Sequence, residues 1–436
     1  MRDETRISLS EAEIENDLLK NIHWSSKSKI WISFLFVALA VCLYFYATQL
    51  IYGLGVTGLH DYASWGIYIS NFVFFVAVSL VGMLISSVLG LSGAKWIKPI
   101  SRIAEIVAVS FAMVAGLVII TDMGRPDRFL SVFIHGRVQS PIVWDVAVVT
   151  TYVFVSLLLL YVPLIPDFDL CSKKLTGLPK IQANIYKVLS LGWAGTPEQF
   201  VRIKKLTRII MVIIIPVALA IHTVTSWLFA LTLRPGWDSS IFGPYFVAGA
   251  FVAGTAALII LVYFYRRHYK LENYITNAHF NYLGKILVLV TLVYLYFNLN
   301  EVLVPGFKPG TAAGTHIKEL LIGHEATLYW LVQIVGLTIP FLLLLIPMFR
   351  KPLPITVLSM IIFIGAWFKR YLIVVPSQLE PYLPIQNVPE SWNHYSPTTP
   401  EIAITIGSFL IVLIIISLLS KIIPLIPIWE MKEEMK

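Results

Sequence analysis

Ten long runs of apolar residues constrain the fold of this chain more than any other feature of its sequence. A helix needs about 20 apolar residues to cross the hydrocarbon core of a bilayer. The runs are continuous and do not alternate between polar and apolar residues, which excludes membrane-spanning strands. They cover residues 30–53, 65–92, 103–121, 142–165, 209–232, 243–265, 279–303, 325–348, 354–375 and 402–428. The sequence therefore predicts an all-α integral membrane protein with about ten transmembrane helices.

The composition agrees with a protein that faces lipid. Only 13% of the residues are charged and 57% are hydrophobic, whereas soluble domains contain roughly 25% charged residues. The first apolar run is too long for a signal peptide and follows an acidic leader, so we expect it to be a retained helix. The predicted organisation is an N-terminal segment at 1–29 and a polytopic membrane domain at 30–436.

The distribution of lysine and arginine predicts the orientation of the chain. Segments on the side of the amino terminus hold about three times as many of these residues as segments on the opposite side. Because cytoplasmic loops are enriched in Lys and Arg, we expect both termini to be cytoplasmic, in the inner membrane of a prokaryote. The net charge of +8 then follows from topology and gives no reason to expect a nucleic-acid partner.

A weak internal duplication predicts how the helices are grouped. Asp122 follows Tyr68 by 54 residues, and Glu301 follows Tyr245 by 56 residues, with each tyrosine near the start of an apolar run. We interpret this spacing as two four-helix bundles related by an axis along the membrane normal. The first bundle would contain helices 2–5 (65–165 and 209–232), the second helices 6–9 (243–375), and helices 1 and 10 would flank them.

Ionisable residues within apolar runs are candidates for function, because burying them in a membrane is costly. They are Glu105, Asp122, Asp145, His222, His279, Lys285, Glu301, His324 and Glu325. Cys42 and Cys171 are too few and too far apart to hold an iron–sulfur cluster or a structural zinc ion. Because no two histidines are clearly matched in depth on facing helices, we expect no haem in this chain.

The sequence around the third and fourth runs combines several of these candidates. Asp122 ends the third run, and the following Gly124 and Pro126 would turn the chain and hold Arg125 at the membrane boundary. Asp145 lies one turn into the fourth run, where a buried carboxylate is suited to exchanging protons. Two other interpretations remain: a structural ion pair of Arg125 with Asp145 that locks the two helices, or a cluster of ion pairs within the loop.

Glu105, near the other end of the third run, has two interpretations of its own. It would belong to a proton path that leads towards the carboxylates at the opposite end, or it would be a boundary partner for Lys98 or Arg102. The sequence favours neither.

Five strings make the chain resemble the membrane subunits of the NrfD/polysulfide reductase family. They are GLHDYASWGIYISN at Gly58–Asn71, GRPDRF at Gly124–Phe129, SPIVWD at Ser140–Asp145, the segment Ser226–Ala250, and WNHYSPTTPE at Trp392–Glu401. The last two resemble the ten-helix branch of the family, which includes membrane subunits of alternative complex III and of related respiratory complexes. The resemblance runs from about residue 30 to the end of the chain.

This resemblance implies a function in electron transport. Subunits of the family bind quinone or quinol near the outer face of the membrane and carry no redox cofactor of their own. They exchange electrons with an adjacent ferredoxin-like iron–sulfur subunit, within a complex that also contains a catalytic or cytochrome subunit. By this resemblance we expect a quinone, most simply menaquinone, as the substrate.

The resemblance also implies a set of site residues. Asp145 corresponds to a quinone-site carboxylate and Arg125 to its neighbour. At the positions of Asp122 and Asp238 ten-helix relatives often carry histidine, which donates or accepts hydrogen bonds where an aspartate mostly accepts. The expected catalytic residues are Asp145, Asp122 and Arg125, and the expected quinone-binding residues are Trp65, Tyr68, Asn71, Trp144 and His222.

Two other functions remain open at the level of the sequence. Buried carboxylates and an internal duplication also occur in ion- or solute-translocating proteins, but the glycine and proline breaks here lie mostly at helix ends. A plain membrane anchor without an active quinone site would not require a carboxylate, an arginine and aromatic residues at one face.

Overall fold

Ten helices in the computed structural model are long and apolar enough to cross a membrane, which confirms the predicted fold class. The structure describes residues 11–175, 179–380, 382–383 and 386–434, and these residues contain no β-strand. The first ten residues of the predicted segment at 1–29 therefore lie outside the described part of the chain. The chain is accordingly a multi-pass, all-α protein.

We number the ten membrane helices α1 to α10. Their bounds are α1 Ser26–Tyr52, α2 Ile67–Leu91, α3 Lys98–Asp122, α4 Pro141–Tyr161, α5 Pro197–Ala230, α6 Phe242–His268, α7 Asn277–Gly306, α8 Ala326–Leu345, α9 Pro352–Val374 and α10 Thr399–Ile422. A π-helical stretch, Leu331–Thr338, lies within α8. Shorter helices cover Glu11–Leu19, Ser131–Ile134, Ile165–Lys174, Lys180–Leu189, Ala312–Ile322, Pro376–Leu379 and Ile428–Glu434.

Helix α5 extends well beyond the apolar run at 209–232 from which it was predicted. It begins at Pro197 because the preceding residue, Thr196, forms a capping box with Gln199. The Thr196 hydroxyl accepts a hydrogen bond from the backbone N–H of Gln199, at 3.3 Å, and proline is well tolerated at the first helical position. The first turns of α5 are therefore polar and precede the apolar run at 209–232.

Helices α2 and α6 lie at the centre of the structure. The first helix group consists of α2–α5, in which each helix contacts the next and α5 also contacts α2. The second helix group consists of α6–α9, in which each helix contacts the next and α9 also contacts α6. The two groups meet where α2 contacts α6, and small residues allow this approach. A Cβ atom on Gly254 would lie 2.6 Å from the side chain of Val81. Helix α1 packs mainly on α10.

Successive membrane helices run in opposite directions, so the bundle has two ends. We call them the Asp122 end and the Lys98 end, after the residues that end and begin α3. Odd-numbered helices end, and even-numbered helices begin, at the Asp122 end. Tyr68, Asp145 and Tyr245 therefore lie within the first turns of their helices at one and the same end of the protein.

A buried ion pair fixes the chain at the Lys98 end. Nη1 of Arg102, a side chain that is 1% exposed, donates to Oδ2 of Asp167 at 2.6 Å. The same nitrogen donates to the backbone carbonyls of Pro424 and Ile426, at 3.2 and 3.3 Å. The segment that follows α10 is thereby attached to α3.

We expect Arg102→Met to lower the free energy of unfolding by about 3–5 kcal/mol, because it leaves the Asp167 carboxylate buried without its partner. The double variant Arg102→Met/Asp167→Asn should recover part of this loss, since it removes both charges. Thermal unfolding in detergent would measure these differences. Arg125→Gln, in an exposed ion pair, is the control and should unfold like the wild type. Equal unfolding of Arg102→Met and this control would contradict the prediction.

Candidate functional site

Tyr68 is connected to the end of α3 through a glutamine on α1. The Tyr68 hydroxyl donates to Oε1 of Gln49 at 2.6 Å, and Nε2 of Gln49 donates to the backbone carbonyl of Thr121 at 2.7 Å. Tyr68 and Gln49 are both almost completely buried. Gln49 was not among the residues expected at the site, although a glutamine inside an apolar run is unusual enough to be a signal in the sequence.

Asp122 is the last residue of α3 and presents an unpaired carboxylate oxygen. Its Oδ1 atom is buried and has no hydrogen-bond partner among the described residues. Tyr68 and Glu401 lie within electrostatic range of this carboxylate. Since most buried polar atoms in proteins are hydrogen-bonded, an unpaired carboxylate oxygen at a membrane boundary is a candidate contact for a ligand or a proton.

Glu401, in the first turn of α10, holds the nearby loop in place. Its side chain is fully buried and accepts hydrogen bonds from the Tyr395 hydroxyl at 2.6 Å, from Gly58 N–H at 2.7 Å and from Thr398 N–H at 2.9 Å. Burial and the neighbouring Glu401 carboxylate raise the pKa of the Tyr395 hydroxyl, which therefore remains a donor. Both residues belong to the string WNHYSPTTPE, but neither was expected at the site.

Asp145 is held by α5 rather than by a charged partner. Its side chain is 3% exposed, and its Oδ1 accepts a hydrogen bond from Oγ1 of Thr225 at 2.5 Å. His222 lies one turn earlier on α5, is buried, and has no hydrogen-bond partner for either ring nitrogen among the described residues. The Asp145 carboxylate is therefore bonded to α5 one turn away from His222.

The alternative interpretation of an ion pair between Arg125 and Asp145 is wrong. Nε and Nη2 of Arg125 donate to the two carboxylate oxygens of Asp127, at 2.9 and 2.8 Å, and 64% of the Arg125 side chain is exposed. The backbone at Gly124 adopts a positive φ of 61°, which turns the chain away from α3. Arg125 therefore reaches the carboxylate two residues ahead, in agreement with the alternative of a pair within the loop.

The aromatic residues expected to line the site form two contacts. Trp65 stacks on Trp237 with ring centres 5.7 Å apart and meets Phe229 edge-on at 5.6 Å. Trp144 meets Trp227 edge-on at 6.3 Å, and its indole N–H donates to the backbone of the preceding loop. In the first contact Trp237 and Phe229 are buried and Trp65 is half-buried, so flat apolar rings lie at the Asp122 end, three residues before Tyr68 in the chain.

Asn71 connects three helices. Its Nδ2 donates to Oγ1 of Thr405 on α10 at 2.8 Å, and its Oδ1 accepts from the indole N–H of Trp367 on α9 at 2.7 Å. The amide is therefore already engaged on both sides, so the structure shows Asn71 as a cross-link between helices.

Glu105 lies towards the Lys98 end, away from the other carboxylates. Its Oε1 accepts from the Ser86 hydroxyl at 2.6 Å, whereas Arg102 forms its ion pair with Asp167. Glu105 and Ser86 line a cavity of about 280 Å³ at this end. Arg102, one of the two boundary partners considered for Glu105, is therefore paired with Asp167 instead.

The geometry at the Asp122 end is suited to proton exchange beside a flat apolar wall. The buried carboxylate of Asp145 and the half-buried carboxylate of Asp122 lie at this end without a cationic partner among the described residues. Nowhere among the described residues are three His, Cys, Asp or Glu side chains grouped so that they could hold a metal ion. The chemistry that these residues offer is hydrogen bonding and proton transfer.

Comparison with known proteins matches residues 55–381 to the family described as polysulphide reductase, NrfD. A protein of Halobacterium salinarum, provisionally assigned as a membrane component of dimethyl sulfoxide reductase, is 27% identical over 86% of this chain and 87% of its own length. A component of the selenate reductase of Mesobacillus selenatarsenatis is 24% identical over 90% of this chain and 92% of its own length. The Hdr-like menaquinol oxidoreductase integral membrane subunit of Archaeoglobus fulgidus is 24% identical over 80% of each chain.

We expect Thr225→Val to destabilise the protein by about 1–3 kcal/mol, because it removes the donor from the buried Asp145 carboxylate without changing the shape of the side chain. Thr223→Val is the matched control, since the Thr223 hydroxyl bonds only to the Leu219 carbonyl of its own helix. Thermal unfolding of both variants in detergent measures the difference. Equal midpoints for the two variants would show that Asp145 does not depend on Thr225.

Proposed function

Because the chain belongs to the NrfD, polysulphide reductase, family, we propose that it is the quinone-reactive membrane subunit of a respiratory oxidoreductase complex. It would exchange electrons between the menaquinone pool and an adjacent iron–sulfur subunit, which in turn serves a catalytic or cytochrome subunit. The names of relatives support this proposal: one belongs to a menaquinol oxidoreductase, and another to a selenate reductase.

The observation that carries the proposal is the unpaired Oδ1 of Asp122 beside the buried Tyr68 at the end of the membrane region. Oxidation of a quinol releases two protons and two electrons, so a quinol site needs a group that accepts protons at the position of the headgroup. An aspartate with a free oxygen meets this need. The neighbouring wall of Trp65 and Trp237 offers the flat apolar contact that a quinone ring requires.

In this proposal the two carboxylates act on protons while the electrons leave the chain. Asp122 and Asp145 would each exchange a proton with the substrate, directly or through the hydroxyl groups of Tyr68 and Thr225. His222, buried one turn from Thr225, has ring nitrogens free to take part in the same exchange. Because all of these residues lie towards the Asp122 end, the headgroup would lie close to a partner subunit docked on that end.

We expect Asp122→Asn and Asp145→Asn to lower quinol-coupled turnover by about 100-fold or more, as the loss of a general acid–base group does. Both substitutions preserve shape, so the complex should still assemble. The assay is quinol oxidation or quinone reduction by the intact complex at saturating partner substrate. Asp127→Asn, in the exposed loop pair, is the control and should retain its turnover. If both variants turn over normally in intact complexes, the proton acceptor is another group and the proposed site is wrong.

We further propose that both termini and the Lys98 end face the cytoplasm, as the Lys and Arg distribution predicts. Asn184, at the Lys98 end, and Glu390, at the Asp122 end, are both exposed. A membrane-impermeant thiol reagent should therefore label Asn184→Cys only from the cytoplasmic side and Glu390→Cys only from the outside. Cys42 and Cys171 are buried and should give little background. Labelling of both variants from the same side would contradict this topology.

A further inference from the structure

A glutamine that follows the second helix group holds the backbone of a tryptophan expected at the quinone site. Gln378 lies in the short helix Pro376–Leu379, which comes directly after α9, and it is 1% exposed. Its Oε1 accepts a hydrogen bond from the backbone N–H of Trp65 at 2.9 Å. Its Nε2 donates to the backbone carbonyl of the same residue at 2.6 Å. One side-chain amide therefore binds both polar backbone groups of Trp65.

The Gln378 amide has no hydrogen-bonding capacity left for a ligand. Its Oε1 also accepts from the Ser64 hydroxyl at 3.2 Å, and its Nε2 also donates to the backbone carbonyl of Val374 at 2.8 Å. A glutamine amide offers two donors and two acceptor positions, so all four are in use. The reversed amide would place its nitrogen against the Trp65 N–H and its oxygen against two carbonyls. Gln378 is thus suited to holding Trp65 and not to binding a substrate itself.

Trp65 depends on such a contact because it lies outside the helices. It precedes α2, which begins at Ile67, so its backbone conformation is not set by that helix. The chain is held again immediately afterwards, since the backbone N–H of Ile67 donates to the Tyr395 hydroxyl at 3.0 Å. A Cβ atom on the intervening Gly66 would lie 2.4 Å from the same hydroxyl. The chain therefore enters α2 along a path that side chains from distant parts of the sequence fix.

The indole of Trp65 is attached to the same part of the structure through Trp237. The two rings stack with their centres 5.7 Å apart. Trp237 lies between α5 and α6 and is 2% exposed, and its indole N–H donates to the backbone carbonyl of Ile373, on α9, at 2.6 Å. Arg234, also between α5 and α6, donates to the backbone carbonyl of Gln378 at 3.3 Å. Both tryptophans thus take their positions from α9 and the short helix that follows it.

Trp65 is the member of this tryptophan pair that a ligand can reach. It is half-buried, whereas Trp237 is almost completely buried. It lies three residues before Tyr68, which belongs to the proposed quinone site. A flat ring stacks favourably on an indole only when the two rings are suitably offset, so the position and the angle of the indole matter. A fixed Trp65 backbone therefore prepares the apolar contact for a quinone ring before the ring arrives.

We propose that Gln378 is a positioning residue for the quinone ring, which holds the Trp65 backbone so that the indole presents a stacking surface to the ring. The proposal rests on the proposed function, since it concerns the same quinone site. It adds a residue from beyond the first helix group, to which Asp122 and Asp145 belong. Because ring stacking contributes to binding and not to proton exchange, loss of the Gln378 amide should weaken the affinity for quinol and leave kcat unchanged.

The test measures KM and kcat of the intact complex for menadiol, a soluble naphthoquinol, at saturating partner substrate. Gln378→Met removes the amide and keeps the length of the side chain, and we expect it to raise KM about tenfold with kcat unchanged. Trp65→Ala should have a similar effect. If Gln378 acts through Trp65, the double variant should resemble Trp65→Ala alone, whereas independent effects would multiply to a rise of about 100-fold.

Gln182→Met is the matched control, because it removes another buried glutamine amide at the Lys98 end. Gln182 donates to the Tyr186 hydroxyl at 2.8 Å and to the backbone carbonyl of Lys421 at 3.3 Å. The control should retain the KM of the wild type. Gln378→Glu is a milder variant, which keeps an acceptor for the Trp65 N–H and loses both donors. It should raise KM less than Gln378→Met does, and not at all in the Trp65→Ala background.

Three results would overturn the inference. The first is a wild-type KM in assembled Gln378→Met or Trp65→Ala complexes, with Gln378→Glu taking the place of Gln378→Met if the latter does not assemble. The second is a pair of effects that multiply in the double variant, because Gln378 would then act independently of Trp65. The third is a lower kcat with unchanged KM, or an equal rise in KM for Gln182→Met, as a general structural role would produce. A wild-type complex without quinol turnover would instead refute the proposed function, and this inference with it.

Discussion

The structure depends on the absence of water from the hydrocarbon region. Every backbone N–H and C=O group in that region must find a partner within the protein, and continuous helices satisfy this requirement. Polar side chains are then tolerated only where other groups of the protein meet them. Asn71 illustrates the point, since its amide is engaged by Thr405 on one side and by Trp367 on the other. The few polar atoms without a partner, such as Oδ1 of Asp122, are exceptional for the same reason.

The two helix groups differ in how they provide partners for their polar side chains at the Asp122 end of the protein. Tyr68 in the first group donates to Gln49, a neutral residue, and the nearby Asp122 remains unpaired. Tyr245 in the second group donates towards Glu301, which Lys369 neutralises. The first arrangement leaves one carboxylate oxygen without a partner among the described residues. The second holds its carboxylate in an ion pair with Lys369.

The sequence supported the site only in part, and the particular residues show why. Tyr68, Asp122 and Asp145 could be proposed as site residues because ionisable or aromatic residues at helix ends are visible in the sequence. Arg125 was misplaced because two nearby carboxylates, Asp127 and Asp145, were equally plausible partners until the turn at Gly124 was known. Gln49 and Thr225 were missed because an uncharged polar residue becomes significant only when a helix distant in sequence brings it to a buried tyrosine or carboxylate.

By itself the sequence determined the number of membrane helices and their order, because the length and apolarity of each run are local properties that the thickness of the bilayer converts into a helix. It also determined which strings resemble a known family. Only the tertiary structure decided which polar groups meet, including the contacts of Gln49 with Tyr68, of Thr225 with Asp145 and of Lys369 with Glu301. These contacts join different helices, and the rotation of each helix about its own axis is set by packing against its neighbours, which no single apolar run encodes.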